Sequence, residues 1–359
     1  MSRYDIAIIG AGIAGASLAA ELAPHARVLI LEGEDRPGYH STGRSAAFWS
    51  ETYGGPDIQP LTTASGPALR EGGFLDPLSS LHIGRAQDAA EIDAFLAEFD
   101  GSGVELRTVD PREMVPGLRS EWSLGVHEPS CEYIDVAGLH AAFLATARRA
   151  GAELVLSAAL ESTERAGTWR LATRAGYFEA DVLVDAAGAW ADPVAAMAGA
   201  RPLGIQPYRR TMAQLRTDPA PPEGCPLVAH IGGSFYFKPE AGGRLWLSPH
   251  DEIASDPCDA QPEEIDIAIA IDRFEHAVDW RIQALEHKWA GLRSFAPDRR
   301  PVYGFDERVP GFFWCAGQGG FGIQTAPAAA RLAAALLLGR ALDASVAHID
   351  ADRYSPARF

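Results

Sequence analysis

The sequence predicts an α/β protein in which a Rossmann-like, dinucleotide-binding part is interleaved with an antiparallel-sheet part. Three observations predict this. A β-branched run feeds a glycine-rich turn and a helix at the start of the chain. Buried apolar strand and turn pairs recur near the middle and the end, and polar–apolar alternation fills the stretch between them. The length of 359 residues suits about two domains. Hydrophobic residues make up 47% and charged residues 22%, the balance of a globular chain. With 31 Lys and Arg against 48 Asp and Glu, the formal charge is −17, which repels polyanions and argues against a nucleic-acid partner.

Taken in order, Asp5 to Ile9 reads as a buried parallel strand, and Gly10-Ala-Gly12-Ile-Ala-Gly15 opens a helix to about Ala23. Arg27 to Leu31 is a second buried strand, closed by Glu32. A G-x-G-x-x-G alone is weak, but between strand and helix, with an acid ending the next strand, it is a strong dinucleotide fingerprint. Gly10 permits the turn, Gly12 the approach of a pyrophosphate to the helix N-terminus, and Gly15 the packing of helix on sheet. Glu32 is placed to accept from a ribose hydroxyl. The uncharged run Ile6 to Ala20 is preceded by Asp5 and broken by three glycines. Neither a signal peptide nor an integral membrane segment is therefore expected.

Further along, helices are expected over Asp88 to Phe99, Val136 to Arg149, Ile265 to Leu285 and Ala326 to Leu338. Strands are expected over Glu153 to Leu156, Asp181 to Ala187 and Phe312 to Ala316, with antiparallel strands between Tyr208 and Trp246. This order places a cofactor domain in residues 1–70, 130–200 and 290–359, and a substrate domain in 71–129 and 201–289. Cys131, Cys225, Cys258 and Cys315 show no metal or disulfide spacing, so no metal site is expected and a reduced, cytoplasmic compartment is.

Which dinucleotide binds is decided by Gly38-Tyr-His-Ser-Thr-Gly-Arg-Ser-Ala-Ala47, Ala-Ala-Gly188-Ala-Trp190, Trp289-Ala-Gly-Leu-Arg293-Ser-Phe295 and Gly317-Gln-Gly-Gly-Phe-Gly-Ile-Gln-Thr325. In these segments, spread from about residue 5 to 338, the sequence resembles the D-amino-acid oxidase-like FAD-dependent oxidoreductases. Within that family it is most similar to the flavin-dependent D-arginine dehydrogenases. The resemblance implies non-covalent FAD held by Gly10, Gly12, Ile13, Ala14, Gly15, Glu32 and Gly33, then by Ser41, Thr42, Gly43, Arg44, Ser45, Ala46 and Ala47. It adds Ala159, Ala187, Gly188 and Trp190, and finally Gly319, Gly320, Phe321, Gly322, Ile323, Gln324 and Thr325. Cysteine-linked flavin, known among sarcosine oxidases of this superfamily, is not expected at Cys315, which lies inside an apolar strand rather than in the preceding loop.

The implied reaction moves hydride from a substrate Cα to flavin N5, leaving an imine that water hydrolyses to a 2-oxo acid and ammonia. No general base is expected, because a neutral amine can lose hydride directly. By resemblance, Arg293 and Arg210 clamp the substrate carboxylate, as a guanidinium fork suits. Tyr236 assists, Tyr53 matches a tyrosine of the active-site loop, the Gly320 carbonyl receives the amine, and Gln324 lies nearby. The D-arginine pattern has a glutamate where this chain has His82, and a histidine where it has Phe48. Both changes point to neutral or hydrophobic D-amino acids over cationic ones. Glycine, N-methyl amino acids or 2-hydroxy acids are the alternative substrates, and a non-catalytic FAD-binding subunit a third reading. The electron acceptor, a quinone or O2, is left open.

Overall fold

A computed structural model describes residues 3–359. At its centre Arg3–Ile9 lies parallel to Val28–Leu31 on one side and to Gly176–Asp185 on the other. Glu153–Val155 extends this sheet beyond Val28–Leu31, and Phe312–Ala316 joins it beside Gly176–Asp185. Val28–Leu31 and Phe312–Ala316 are apolar and buried throughout, and Arg3–Ile9 and Gly176–Asp185 become buried toward their C-terminal ends. The helix Ile13–Leu22 is itself buried nearly all round, its Gly, Ala and Ser positions allowing close approach to Val136–Arg149 and Ala326–Leu338. Asp135 caps the second of these by accepting from Gly138 N at 2.9 Å, and left-handed Gly339 ends the third.

The second large sheet has ten strands and is antiparallel except where Leu227–His230 runs parallel to Ser80–Gly84. Its longest pairing joins Gln206–Asp218 to Arg281–Phe295 along their whole length. Alternation divides its two faces. Leu81, Val228, Phe237 and Leu247 pack beneath it with Phe274 of the helix Glu264–Glu275. The opposite face carries Met212 and Tyr236.

Most expected elements stand within a residue or two of their predicted limits. Two do not: the strand expected from Asp181 already begins at Gly176, and the helix expected over 265–285 stops at Glu275, with a strand begun by Arg281. The first half of that strand is largely exposed, so its polar residues mask the two-residue period that a half-buried strand shows. The same strand runs unbroken through residue 290, where the sequence suggested a division.

Candidate active site

The glycine-rich turn closes against the end of Gly176–Asp185. A Cβ on Gly10 would stand 2.5 Å from the Ala186 carbonyl oxygen, and one on Gly15 would stand 2.0 Å from the Gly10 oxygen. Neither contact is tolerable, so both positions need glycine. Glu32, almost wholly buried, accepts from Ala11 N at 2.8 Å and from Glu34 N at 3.0 Å. Thr42 reaches back to accept from Ile13 N at 2.9 Å, taking one of the helix's free donors and leaving its neighbours for an anion.

From this turn a cavity of about 430 Å³ runs between the two sheets. Of the residues expected to hold the cofactor, Gly10, Gly12, Ile13, Ala14, Glu32, Gly33, Ser41, Thr42, Arg44 and Ser45 line it, as do Ala159, Ala187, Gly188 and Trp190. Gly319, Gly320, Gly322 and Ile323 line its far end with Arg293. Gly15, Gly43, Ala46, Ala47, Phe321, Gln324 and Thr325 stand behind this lining, where they shape it. Phe321, for example, turns away to pack on Ile58 and Phe295. Ser41 donates to the Leu292 carbonyl at 2.6 Å, and Arg44 to those of Ala260 and Ala290, which ties the segment to the strand bearing Arg293. A long cavity with a helix N-terminus and an acid at one end and apolar glycine-lined walls beyond suits a dinucleotide carrying a ring system.

At the far end several predicted residues converge. A Cβ on Gly320 would meet the Tyr53 hydroxyl at 2.3 Å and Arg293 Nε at 3.2 Å, so all three share one point. Among the described residues Arg293 makes no ion pair. Burial works against its charge, but the Tyr53 and Tyr236 hydroxyls beside it and the more distant charge of Asp251 hold its pKa above the usual guanidinium value. Arg210 lies on the neighbouring strand, opposite Gly291. It points into the same face but is engaged, donating to the Asp251 carbonyl at 2.7 Å and to Glu252 at 3.2 Å. Its remaining nitrogen, NH1, is buried without a partner. Among the described residues the site therefore holds one cation without an ion-pair partner and one spare donor, enough for a single carboxylate.

Behind this end of the cavity lining stands an aromatic and apolar cluster. Phe48 packs 5.1 Å from Tyr53 and 6.2 Å from Tyr236, and Met212, Trp246 and Trp289 complete the cluster. The Tyr236 hydroxyl donates to Met212 Sδ at 3.1 Å. His82 sits two strands from Tyr236, in register through Ala229, about 9–10 Å away across the sheet. Its ring packs on Phe95 at 4.5 Å, and burial pushes its pKa down to about 4, so it is neutral. The carboxylates on this side are all engaged: Glu128 by hydroxyls, Asp251 by Thr211, and Glu252 by Arg210 and Arg299. Among the described residues, none of these three is left free for a cationic side chain.

Gln324 departs from expectation. Only 2% exposed, it donates to the Tyr53 carbonyl and to Thr62, and accepts from Ser50 N. It holds the Tyr53 loop rather than facing the cavity. His250 was not anticipated. It adopts φ 54° and packs edge-on to Tyr236, its Nδ1 donating to the Gly233 carbonyl at 2.7 Å. Burial and the charges of Arg210, Arg293 and Arg299 push it down to about 3, leaving Nε2 as an acceptor. A lone histidine after a strand carries no sequence signal of this kind. Cys315 is buried within its strand, its thiol pushed up to about 12 by burial, and so is inert.

The model of the DAO family, described as FAD dependent oxidoreductase, matches residues 5–336. The chain belongs to this family. FAD is thus its cofactor. The DAO-family chain is 27% identical over 362 residues to glycine oxidase of Geobacillus kaustophilus, covering 93% of each chain. The crystal structure of that enzyme matches with a TM-score of 0.80 at 25% identity, over 98% of this chain and 100% of that one. The crystal structure of L-proline dehydrogenase from P. horikoshii shares the fold, with a TM-score of 0.86 at 23% identity over 100% and 98% of the two chains. Human mitochondrial dimethylglycine dehydrogenase is 29% identical over 269 residues, 68% of this chain but only 30% of that protein. Among the described residues, no helix is long and apolar enough to cross a membrane.

Proposed function

We propose that this family member oxidises the amine of a neutral α-amino acid with an apolar or aromatic side chain, preferring the D enantiomer, to the 2-oxo acid and ammonia. The observation that carries the proposal is Arg293, a partly buried guanidinium with no ion-pair partner among the described residues, set against the Tyr53 hydroxyl and Gly320 at the end of the cofactor cavity. An unpaired buried cation is costly and waits for an anion. A substrate carboxylate meets it with two parallel charge-assisted bonds, and Arg210 NH1 offers a third.

When bound, FAD accepts the hydride removed from the substrate Cα. The protein's part is orientation. Arg293 and Tyr53 hold the carboxylate, the Gly320 backbone receives the amine, and Phe48, Met212, Tyr236, Trp246 and Trp289 enclose the side chain and exclude water. The neutral His82 and the engaged acids support a neutral side chain over a cationic one. The preference for D substrates rests on the likeness of Tyr53, Arg210, Tyr236 and Arg293 to the D-arginine dehydrogenase pattern. We place the domain division near the limits read from the sequence, and the four free thiols support a reducing compartment such as the cytoplasm.

A second reading, oxidation of glycine or an N-methylated glycine, is favoured by the similarity to glycine oxidase and dimethylglycine dehydrogenase. Anaerobic mixing with D- and L-amino acids, glycine, sarcosine and 2-hydroxy acids, watching the flavin bleach, tests both. Fastest bleaching by D-Phe or D-Met supports the first reading; fastest bleaching by glycine or sarcosine supports the second. Bleaching by D-Arg far ahead of these refutes both, and no bleaching favours a binding subunit.

A further inference from the structure

Residues 50–58 form neither helix nor strand, although they carry Tyr53, whose hydroxyl must meet Arg293. Something other than secondary structure has to fix them. Glu128 ends the strand Leu124–Glu128 of the ten-stranded sheet and is completely buried. Burying a carboxylate costs several kcal/mol unless hydrogen bonds satisfy it. Among the described residues no cation pairs with it; donors do. Ser50 Oγ lies at 2.8 Å, Glu51 N at 2.7 Å and Thr52 Oγ1 at 2.6 Å, with Ser80 Oγ at 3.2 Å and Ser130 Oγ at 3.4 Å completing the shell. Three of the five donors belong to one three-residue turn. Gln324 holds the same turn from the other side through Ser50 N and the Tyr53 carbonyl.

We infer that Glu128 is a positioning residue for the substrate clamp: its carboxylate fixes the Ser50–Thr52 turn and thereby sets the Tyr53 hydroxyl against Arg293 and Gly320. The inference rests on reading Arg293 and Tyr53 as the carboxylate site. Glu128 does not itself reach substrate, being sealed from the cavity with both oxygens occupied. A carboxylate suits the place because both of its oxygens accept. In a glutamine the amide oxygen can keep the Glu51 N–H, but the NH2 then faces the Ser50, Thr52 and Ser80 hydroxyls, which must turn from donating to accepting, and it has two hydrogens for three of them.

The test uses the FAD-loaded protein and benzoate as the carboxylate probe, titrated by its perturbation of the flavin spectrum. Glu128→Gln is expected to weaken benzoate roughly tenfold, the loss of about one hydrogen bond's worth of alignment, with bound FAD per chain unchanged. Tyr53→Phe should weaken it comparably, and the double variant should be no weaker than the worse single, because both changes disable one contact. Glu128→Asp, still an acceptor only, should recover part of the loss. Binding by Glu128→Gln within twofold of wild type, or losses that multiply in the double variant, overturns the inference. Should Glu128→Gln fail to retain FAD, Ser50→Ala and Thr52→Val each remove one latch bond. A roughly threefold weakening by either supports the role, and wild-type binding by both overturns it. If Arg293→Ala binds benzoate as tightly as wild type, the clamp reading itself has failed, whatever Glu128 does.

Discussion

Arg293→Ala separates binding from stability in a way that only an unpaired cation allows. A carboxylate held by a guanidinium fork makes two charge-assisted bonds, each worth about 1.5–3 kcal/mol. Losing both costs about 3–6 kcal/mol, which weakens a carboxylate ligand by roughly 10²- to 10⁴-fold. Arg293→Lys keeps the charge but not the fork, and should weaken it by roughly 10- to 100-fold. Because Arg293 makes no ion pair among the described residues, its removal deletes a partly buried charge without breaking a salt bridge. The thermal midpoint of the ligand-free holoprotein should therefore hold or rise. Arg210→Ala should behave differently: it strips the Asp251 carbonyl of its donor and Glu252 of one partner. Glu252 is partly exposed and keeps Arg299 at 2.8 Å, so we expect a loss of about 1–3 kcal/mol. Benzoate titration and thermal melts of the three variants check this. Benzoate binding by Arg293→Ala within threefold of wild type, or a drop in its midpoint as large as that of Arg210→Ala, would refute the reasoning.

Other expectations follow from the same geometry. Gly320→Ala places a methyl 2.3 Å from the Tyr53 hydroxyl, so KM for the amino acid should rise at least tenfold while the protein stays yellow. Gly15→Ala collides with backbone at 2.0 Å and should purify with little or no flavin, as its absorbance per chain will report. His82 has its pKa lowered to about 4 when folded, against about 6.5 unfolded, so the unfolded chain takes up a proton that the folded one refuses. Its contribution is complete above about pH 6.5 and lost as pH falls from there toward 4. His250, lowered to about 3, acts in the same direction. The thermal midpoint should fall between pH 7.5 and 5, and fall less in His82→Leu; equal slopes would argue against a buried neutral imidazole. Acid or guanidinium denaturation should release all the flavin, since the Cys315 thiol is buried and its pKa raised.

How much of this was legible in the sequence depended on whether a residue's role is local. The turn at Gly10 to Gly15 and the acid Glu32 announce themselves, because phosphate binding needs small residues at fixed spacing between a strand and a helix. The helices Val136–Arg149 and Ala326–Leu338 and the strand Phe312–Ala316 likewise follow from periodicity and composition. The strand Arg281–Phe295 did not, since half of it is exposed and its pattern comes from pairing with Gln206–Asp218 rather than from burial. Glu128 and His250 were invisible for a related reason. Glu128 meets Ser50 and Thr52 only because strands distant in sequence lie side by side, and one acid after a strand looks like any surface charge. Gln324 was recognised by its motif but assigned the wrong neighbours, since a motif gives a residue's place in the chain and not the direction of its amide.

The central claim is that Arg293 at the end of the flavin cavity, with an aromatic cluster beside it, selects a neutral amino acid for oxidation. Its most direct test is the anaerobic rate of flavin bleaching by D-Phe, D-Met, D-Arg, glycine and sarcosine, with wild type and Arg293→Lys side by side. The account predicts that D-Phe or D-Met bleaches fastest in the wild type and that the Arg293→Lys rate at low substrate falls by roughly 10- to 100-fold. Fastest bleaching by D-Arg, or an Arg293→Lys protein as fast as wild type, would contradict it.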